Sequence, residues 1–161
     1  MKPVVELKNA TKIIDNGMNE KKVILDHVNL AIYPGDFITV LGGNGAGKST
    51  LFNSLAGTLT LTEGQFLIEG VNRTNLSEVK RAKSLARVFQ DPKMGTAVRL
   101  SVEENLALAM KRGHKRGFSL GVKSKDRSFF QEQLAMLNLN LENRLDAEIG
   151  LHSGGQLQAI T

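Results

Sequence analysis

From residue 4 to residue 68 the apolar positions fall in short runs, the pattern of strands rather than of long helices. Val28, Leu30 and Ile32 alternate before a Pro34-Gly35-Asp36 turn, and residues 37–41 form a near-continuous apolar run that predicts a buried strand. Glycine-rich sequence follows at 42–47. Leu51, Phe52 and Leu55 then share one face of a predicted helix that Gly57 can close through a left-handed cap. Glu63-Gly64 and Glu69-Gly70 bracket a further strand, Ser77 with Glu78 opens a helix, and residues 86–90 return to a strand-like run around Val88 and Phe89.

After Pro92 the period changes. Ser101 and Glu104 form a capping box worth ~1 kcal/mol, with Val102, Leu106 and Ala109 on one helical face behind it. Phe129, Phe130, Leu134 and Leu137 predict a second helix. Residues 1–90 therefore read as an α/β domain and residues 91–161 as a helical one, with the Gly- and Lys/Arg-rich stretch 111–127 as the candidate linker.

Composition narrows this picture only slightly. A chain of 161 residues suffices for one compact, lobed unit. Lys and Arg outnumber Asp and Glu by 21 to 16, which suits a polyphosphate, nucleic acid or anionic lipid without choosing among them. The absence of cysteine excludes disulfides and thiolate metal sites. No run approaches the ~18 apolar residues of a membrane span, and Pro3, Glu6 and Lys8 interrupt any signal-peptide core, so a membrane role is expected to be peripheral.

The candidate chemistry lies in the glycine-rich stretch. Gly42, Gly47, Lys48 and Ser49 satisfy G-x-x-x-x-G-K-[ST] between a predicted strand and a predicted helix. In such a loop the backbone N–H groups turn toward phosphate, the helix dipole adds positive charge, the lysine meets the β/γ oxygens and the hydroxyl ligates Mg2+. The dinucleotide fingerprint fails, because its third glycine would fall on Lys48 or Thr50.

Three stretches then carry a family resemblance. Leu41-Gly42-Gly43-Asn44-Gly45-Ala46-Gly47-Lys48-Ser49-Thr50-Leu51 resembles the Walker A loop of ABC ATPases, Val88-Phe89-Gln90-Asp91-Pro92 their Q-loop, and Ser153-Gly154-Gly155-Gln156 their signature motif. The resemblance implies an α/β fold with a P-loop (RecA-like) core, an antiparallel β subdomain and a helical subdomain. It implies that ATP is bound by residues 42–50, with Ile14 where an aromatic often stacks on adenine, and that Ser49 and Gln90 serve Mg2+ and the attacking water. Ser153, Gly154, Gly155 and Gln156 would contact the nucleotide of a second ATP-binding subunit in a head-to-tail dimer. The expected partners are separate membrane-spanning transporter subunits, with no nucleic acid, and the expected location is the cytoplasmic face of the membrane.

Departures from the pattern qualify that reading. The Walker B strand and switch histidine that follow the signature in the family are not among these residues, so the C-terminal part of the core is expected to be missing, with an exposed sheet edge, low stability and weak or no hydrolysis. A nucleotide-binding remnant or regulatory binder is the alternative function, and a DNA-repair type ATPase a more distant one. His152 replaces the usual leucine and reads as a surface change, since His27 and His114 show no ligand spacing with it. Asp91 reads as a loop acid with no base role. Lys111, Arg112, His114, Lys115 and Arg116 read as a solvated helix end, or else a contact for anionic lipid.

Overall fold

The computed structural model describes residues 1–15, 20–112 and 121–161. It divides into two compact units, Met1–Leu85 and Ala86–Thr161.

The first unit is built on an antiparallel sheet in the order β2-β1-β3-β4, with β1 at Val5–Asp15, β2 at Lys21–Ile32, β3 at Glu63–Ile68 and β4 at Val71–Asn72. β1 pairs with β2 from Val5↔Ile32 to Asp15↔Lys21, and with β3 from Val5↔Ile68 to Thr11↔Glu63. Both ladders are irregular around Asn9, which adopts φ 47°, and His27 across the sheet adopts φ 45°. Such bulges leave main-chain groups unpaired. Here the Asn29 side chain meets them: its Oδ1 accepts from Asn9 N at 2.9 Å, and its Nδ2 donates to Asn9 Oδ1 and His27 O. Gly64, at φ 89°, faces the bulge so closely that a Cβ would lie 2.2 Å from Asn9 O. Only glycine fits there.

Helix α1, Lys48–Ala56, lays Leu51 onto this sheet, where Leu7, Ala10, Leu25 and Phe66 complete the buried core. Gly57 ends it in the expected left-handed conformation, φ 88°, its N–H donating to Asn53 O. Phe52 does not join the buried face and is 48% exposed. The predicted helix after Ser77 is one short turn, α2, Glu78–Arg81.

Two expected strands are not formed. Residues 37–41 and 86–90 lie outside every ladder, with Phe37 95% and Leu41 86% exposed and Val88 also exposed. Apolar, β-prone sequence supplies propensity, but a strand exists only where a neighbour pairs its N–H and C=O groups. No described segment pairs with either run.

The second unit is helical: α3 at Val102–Met110, α4 at Ser124–Ala135 and α5 at Gly154–Ile160 enclose Val102, Phe130, Leu134, Leu141, Leu145, Ile149 and Leu157. The capping box before α3 is present: Glu104 N donates to Ser101 Oγ at 3.2 Å, and Ser101 N donates to Glu104 Oε2 at 2.8 Å. α4 ends before Leu137, which is exposed along with Phe129. The expected linker 111–127 is partly helix, since α4 begins at Ser124; residues 113–120, and with them His114, Lys115 and Arg116, lie outside the described residues.

Two ties order the loops of this unit. Asn105 accepts from Ala97 N at 2.8 Å and donates to Ala97 O and Ser101 O, fixing the segment that leads into α3. Arg127 pairs with Asp146 through both carboxylate oxygens and with Glu103 at 3.1 Å. The hydrogen bond to Arg127 holds the Asp146 carboxyl below its ordinary range, and the same bond raises the guanidinium.

Candidate phosphate-binding site

A helix start leaves its first N–H groups without internal partners, and most helices place Ser, Thr, Asp or Asn there to meet one of them. α1 does not. Its N-cap is Gly47, at φ 83°, with no side-chain cap and no acid in the first turn. Among the described residues nothing accepts from the N–H groups of Gly45, Gly47, Lys48, Ser49 or Thr50; the first helical bond is Leu51 N to Gly47 O at 2.8 Å.

The loop conformation follows from its glycines. Gly45 and Gly47 both adopt left-handed φ, 81° and 83°. At Gly47 a Cβ would also press on β2, 2.9 Å from Ile24 O, whereas at Gly43 and Gly45 the space is open. Lys48 folds back over the loop, its Nζ donating to Gly42 O at 2.6 Å and Gly43 O at 2.7 Å. Gly42, Gly43, Asn44, Gly45, Ala46 and Ser49 are exposed, and Thr50 is half-buried. The structure thus brings together a run of free donors, a helix N-terminus, an ammonium and a hydroxyl, a donor set that fits an oxyanion. Magnesium prefers hard oxygen ligands, which the Ser49 hydroxyl and a phosphate can offer. Among the described residues no group of three His, Asp or Glu side chains forms a metal site of its own.

The other expected residues belong to other segments of the chain. Ile14, 37% exposed, stands near the end of β1 opposite Lys22. Gln90 is exposed in the second unit, and next to it Asp91 accepts from Lys93 N at 3.0 Å, capping the short 3-10 turn Pro92–Met94. Ser153 caps α5: its Oγ accepts from Gln156 N at 3.4 Å while Ser153 N donates to Gln156 Oε1. Gly154 and Gly155 are exposed, and a Cβ on either would meet nothing within 4 Å. His152 corrects the expectation of a surface residue. It is 8% exposed, with Nδ1 3.1 Å from Glu148 O and Nε2 buried without a partner.

Sequence reasoning passed over Arg81. It is 2% exposed, its guanidinium sits 4.4 Å over the Phe66 ring, and burial lowers its pKa. Its partners lie up to 27 residues away, so no local pattern marks it.

A phosphate-binding loop entering a helix, an antiparallel sheet in the same unit and a separate helical unit carrying Ser-Gly-Gly-Gln define an ABC-type ATP-binding cassette. Residues 25–161 match the ABC transporter family, and the chain belongs to it. It is 34% identical to the tyrosine transport ATP-binding protein of Clostridioides difficile, over 98% of this chain and 62% of that protein. It is 33% identical to the energy-coupling factor transporter ATP-binding protein EcfA1 of Clostridium novyi, over 98% of this chain and 53% of the relative. The fold is likewise similar to the dimeric ATP-binding cassette MJ0796 bound to ADP and Pi, with TM-score 0.78 and 29% identity over 97% of this chain and 66% of that one. The chain thus spans less than two thirds of the length of these two curated relatives.

Proposed function

We propose that this chain binds ATP with Mg2+ through residues 42–50 and serves as the ATP-binding subunit of a transporter whose membrane-spanning parts are other chains. One observation carries the reading: the main-chain donors of Gly45, Gly47, Lys48, Ser49 and Thr50, unpaired among the described residues, at the uncapped start of α1. An uncapped N-terminus costs stability unless an anion fills it. The Lys48 ammonium, now on the Gly42 and Gly43 carbonyls, is the mobile charge that would transfer to phosphate oxygens. Ser49 would supply a ligand to the metal, whose chemistry is to neutralise charge on the β- and γ-phosphates. Gln90 is assigned to the metal and attacking water through the family resemblance.

Open space around Gly154 and Gly155 supports the partner expected at the signature motif. Among the described residues nothing requires glycine at either position, so their smallness suits a close approach from outside, as a second ATP-binding subunit would make. The relative named for tyrosine transport supports an amino-acid-like solute. No helix among the described residues is long and apolar enough to cross a membrane, which fits a peripheral subunit at the cytoplasmic face.

The test is equilibrium binding of ATP, with and without Mg2+, to the chain and to Lys48→Ala. Binding that requires Mg2+ and is lost in the variant is expected; equal binding by both overturns the assignment of the loop. Because these residues assign no carboxylate to water activation, phosphate release by the chain alone is expected to match that of Lys48→Ala.

A further inference from the structure

The far end of α1 is held by a buried cation that has no carboxylate partner among the described residues. Arg81 Nη1 donates to Ser54 O at 2.6 Å and Leu55 O at 2.9 Å, two carbonyls of the helix's last turn. Its Nη2 donates to Thr74 O at 2.6 Å and its Nε to Leu76 O at 3.0 Å. Four main-chain carbonyls thus take the place of a counter-ion, at the negative end of the helix dipole. The guanidinium also fills the space beside Gly57, where a Cβ would lie 2.9 Å from its Cδ and Nε. The planar fork joins α1 to the segment after β4 through three nitrogens at fixed angles, whereas an ammonium would have to reach all four carbonyls from one nitrogen.

We propose that Arg81 is a positioning residue for the phosphate-binding loop: by fixing the C-terminal turn of α1 against the 74–76 segment, it sets where Lys48 and Ser49 stand at the other end. α1 is a single rigid helix of nine residues, about 13 Å long, so a shift at one end is carried to the other. None of Arg81's hydrogen bonds reaches residues 42–50. Its influence on nucleotide binding therefore runs through helix placement, and it rests on the ATP-binding reading above.

The experiment compares Arg81→Lys with Leu7→Ala, a cavity variant in the same core that is not part of the loop. Two quantities are read for each: MgATP affinity, and the amide 1H–15N resonances of Gly45, Gly47 and Lys48 without nucleotide. Arg81→Lys is expected to move those resonances and to weaken MgATP binding about tenfold, the scale of one lost charged hydrogen bond. Leu7→Ala, matched for loss of melting temperature, is expected to leave both nearly unchanged. If Arg81→Lys leaves the loop resonances in place and binds MgATP as the parent does, or if both variants behave alike, the positioning role is overturned and Arg81 is structural only. If the parent chain fails to bind MgATP while Arg81→Lys still displaces the loop resonances, the ATP reading falls and the mechanical link stands. Should Arg81→Lys fail to fold, Gly57→Ala applies the test from the other side of the same contact by pushing on the guanidinium, with the same readouts and the same two outcomes.

Discussion

Replacing Gly47 by alanine separates two things that the loop asks of its glycines. The residue sits at φ 83°, a conformation that costs an L-residue roughly 1–2 kcal/mol. The new methyl would also lie 2.9 Å from Ile24 O and 3.3 Å from Ile24 Cγ2. Ile24 belongs to β2, which is tied into the β1 ladder on both sides of it, so its carbonyl cannot retreat as the tip of a flexible side chain would. Overpacking against such a neighbour costs about 1–3 kcal/mol, and the total for Gly47→Ala is then about 2–5 kcal/mol. Gly45→Ala is the internal control. It has nearly the same φ, 81°, and open space around its Cβ, so it should cost only the conformational part, about 1–2 kcal/mol. Urea unfolding followed by far-UV circular dichroism reads both, through the shift of midpoint at constant slope. If the two variants unfold at the same urea concentration, the packing of Gly47 against β2 is not as described.

Other perturbations test the second unit and the exposed run. The Asp146 carboxyl is held below its ordinary value, so the stabilisation it gives is complete above the unfolded pKa of ~3.9 and is lost as pH falls through the lower folded value; Asp146→Asn should flatten stability against pH in that acid window and not above it. Leu145, 1% exposed, should cost about 2–5 kcal/mol on truncation to alanine, seen as earlier loss of helical signal in a urea titration. Ser153→Ala removes an N-cap and should cost about 0.5–2 kcal/mol while leaving the MgATP affinity of the monomer unchanged; weaker binding by the monomer would place Ser153 in its own chain's site. Phe37→Lys with Leu41→Lys should change unfolding by no more than about 0.5 kcal/mol and raise solubility, since both side chains are exposed; a large loss of stability would show the run to be buried in solution.

Local rules were enough wherever the determinant was local. Gly57 as a left-handed cap and Ser101 with Glu104 as a capping box both stand in the structure, because each is settled within four residues of chain. The strand expected at 37–41 fails for the opposite reason. Its apolar run is real, but pairing depends on a distant neighbour that no local pattern reports. Arg81 was passed over and His152 misjudged on the same ground, since a charged or polar side chain reads as exposed until its partners are known. The glycine-rich run that leads into α1 was legible because its backbone, left-handed at Gly45 and Gly47, favours glycine at fixed positions.

The starts of α1 and α5 show how far glycine and serine divide the work. α5 opens on Ser153, whose hydroxyl already accepts from Gln156 N, while Gln156 answers with its own carbonyl oxygen, so part of the donor need is met from within. α1 opens on Gly47, which offers no oxygen and leaves its neighbours' N–H groups bare. Placing a side-chain cap at α1 would stabilise the helix in isolation and fill the position a phosphate oxygen needs. The loop therefore gives up about 0.5–2 kcal/mol of capping that Ser153 secures elsewhere in the same chain. On the proposed ATP-binding reading a phosphate would restore it, and Lys48, which now donates to two loop carbonyls, would supply the charge beside that phosphate.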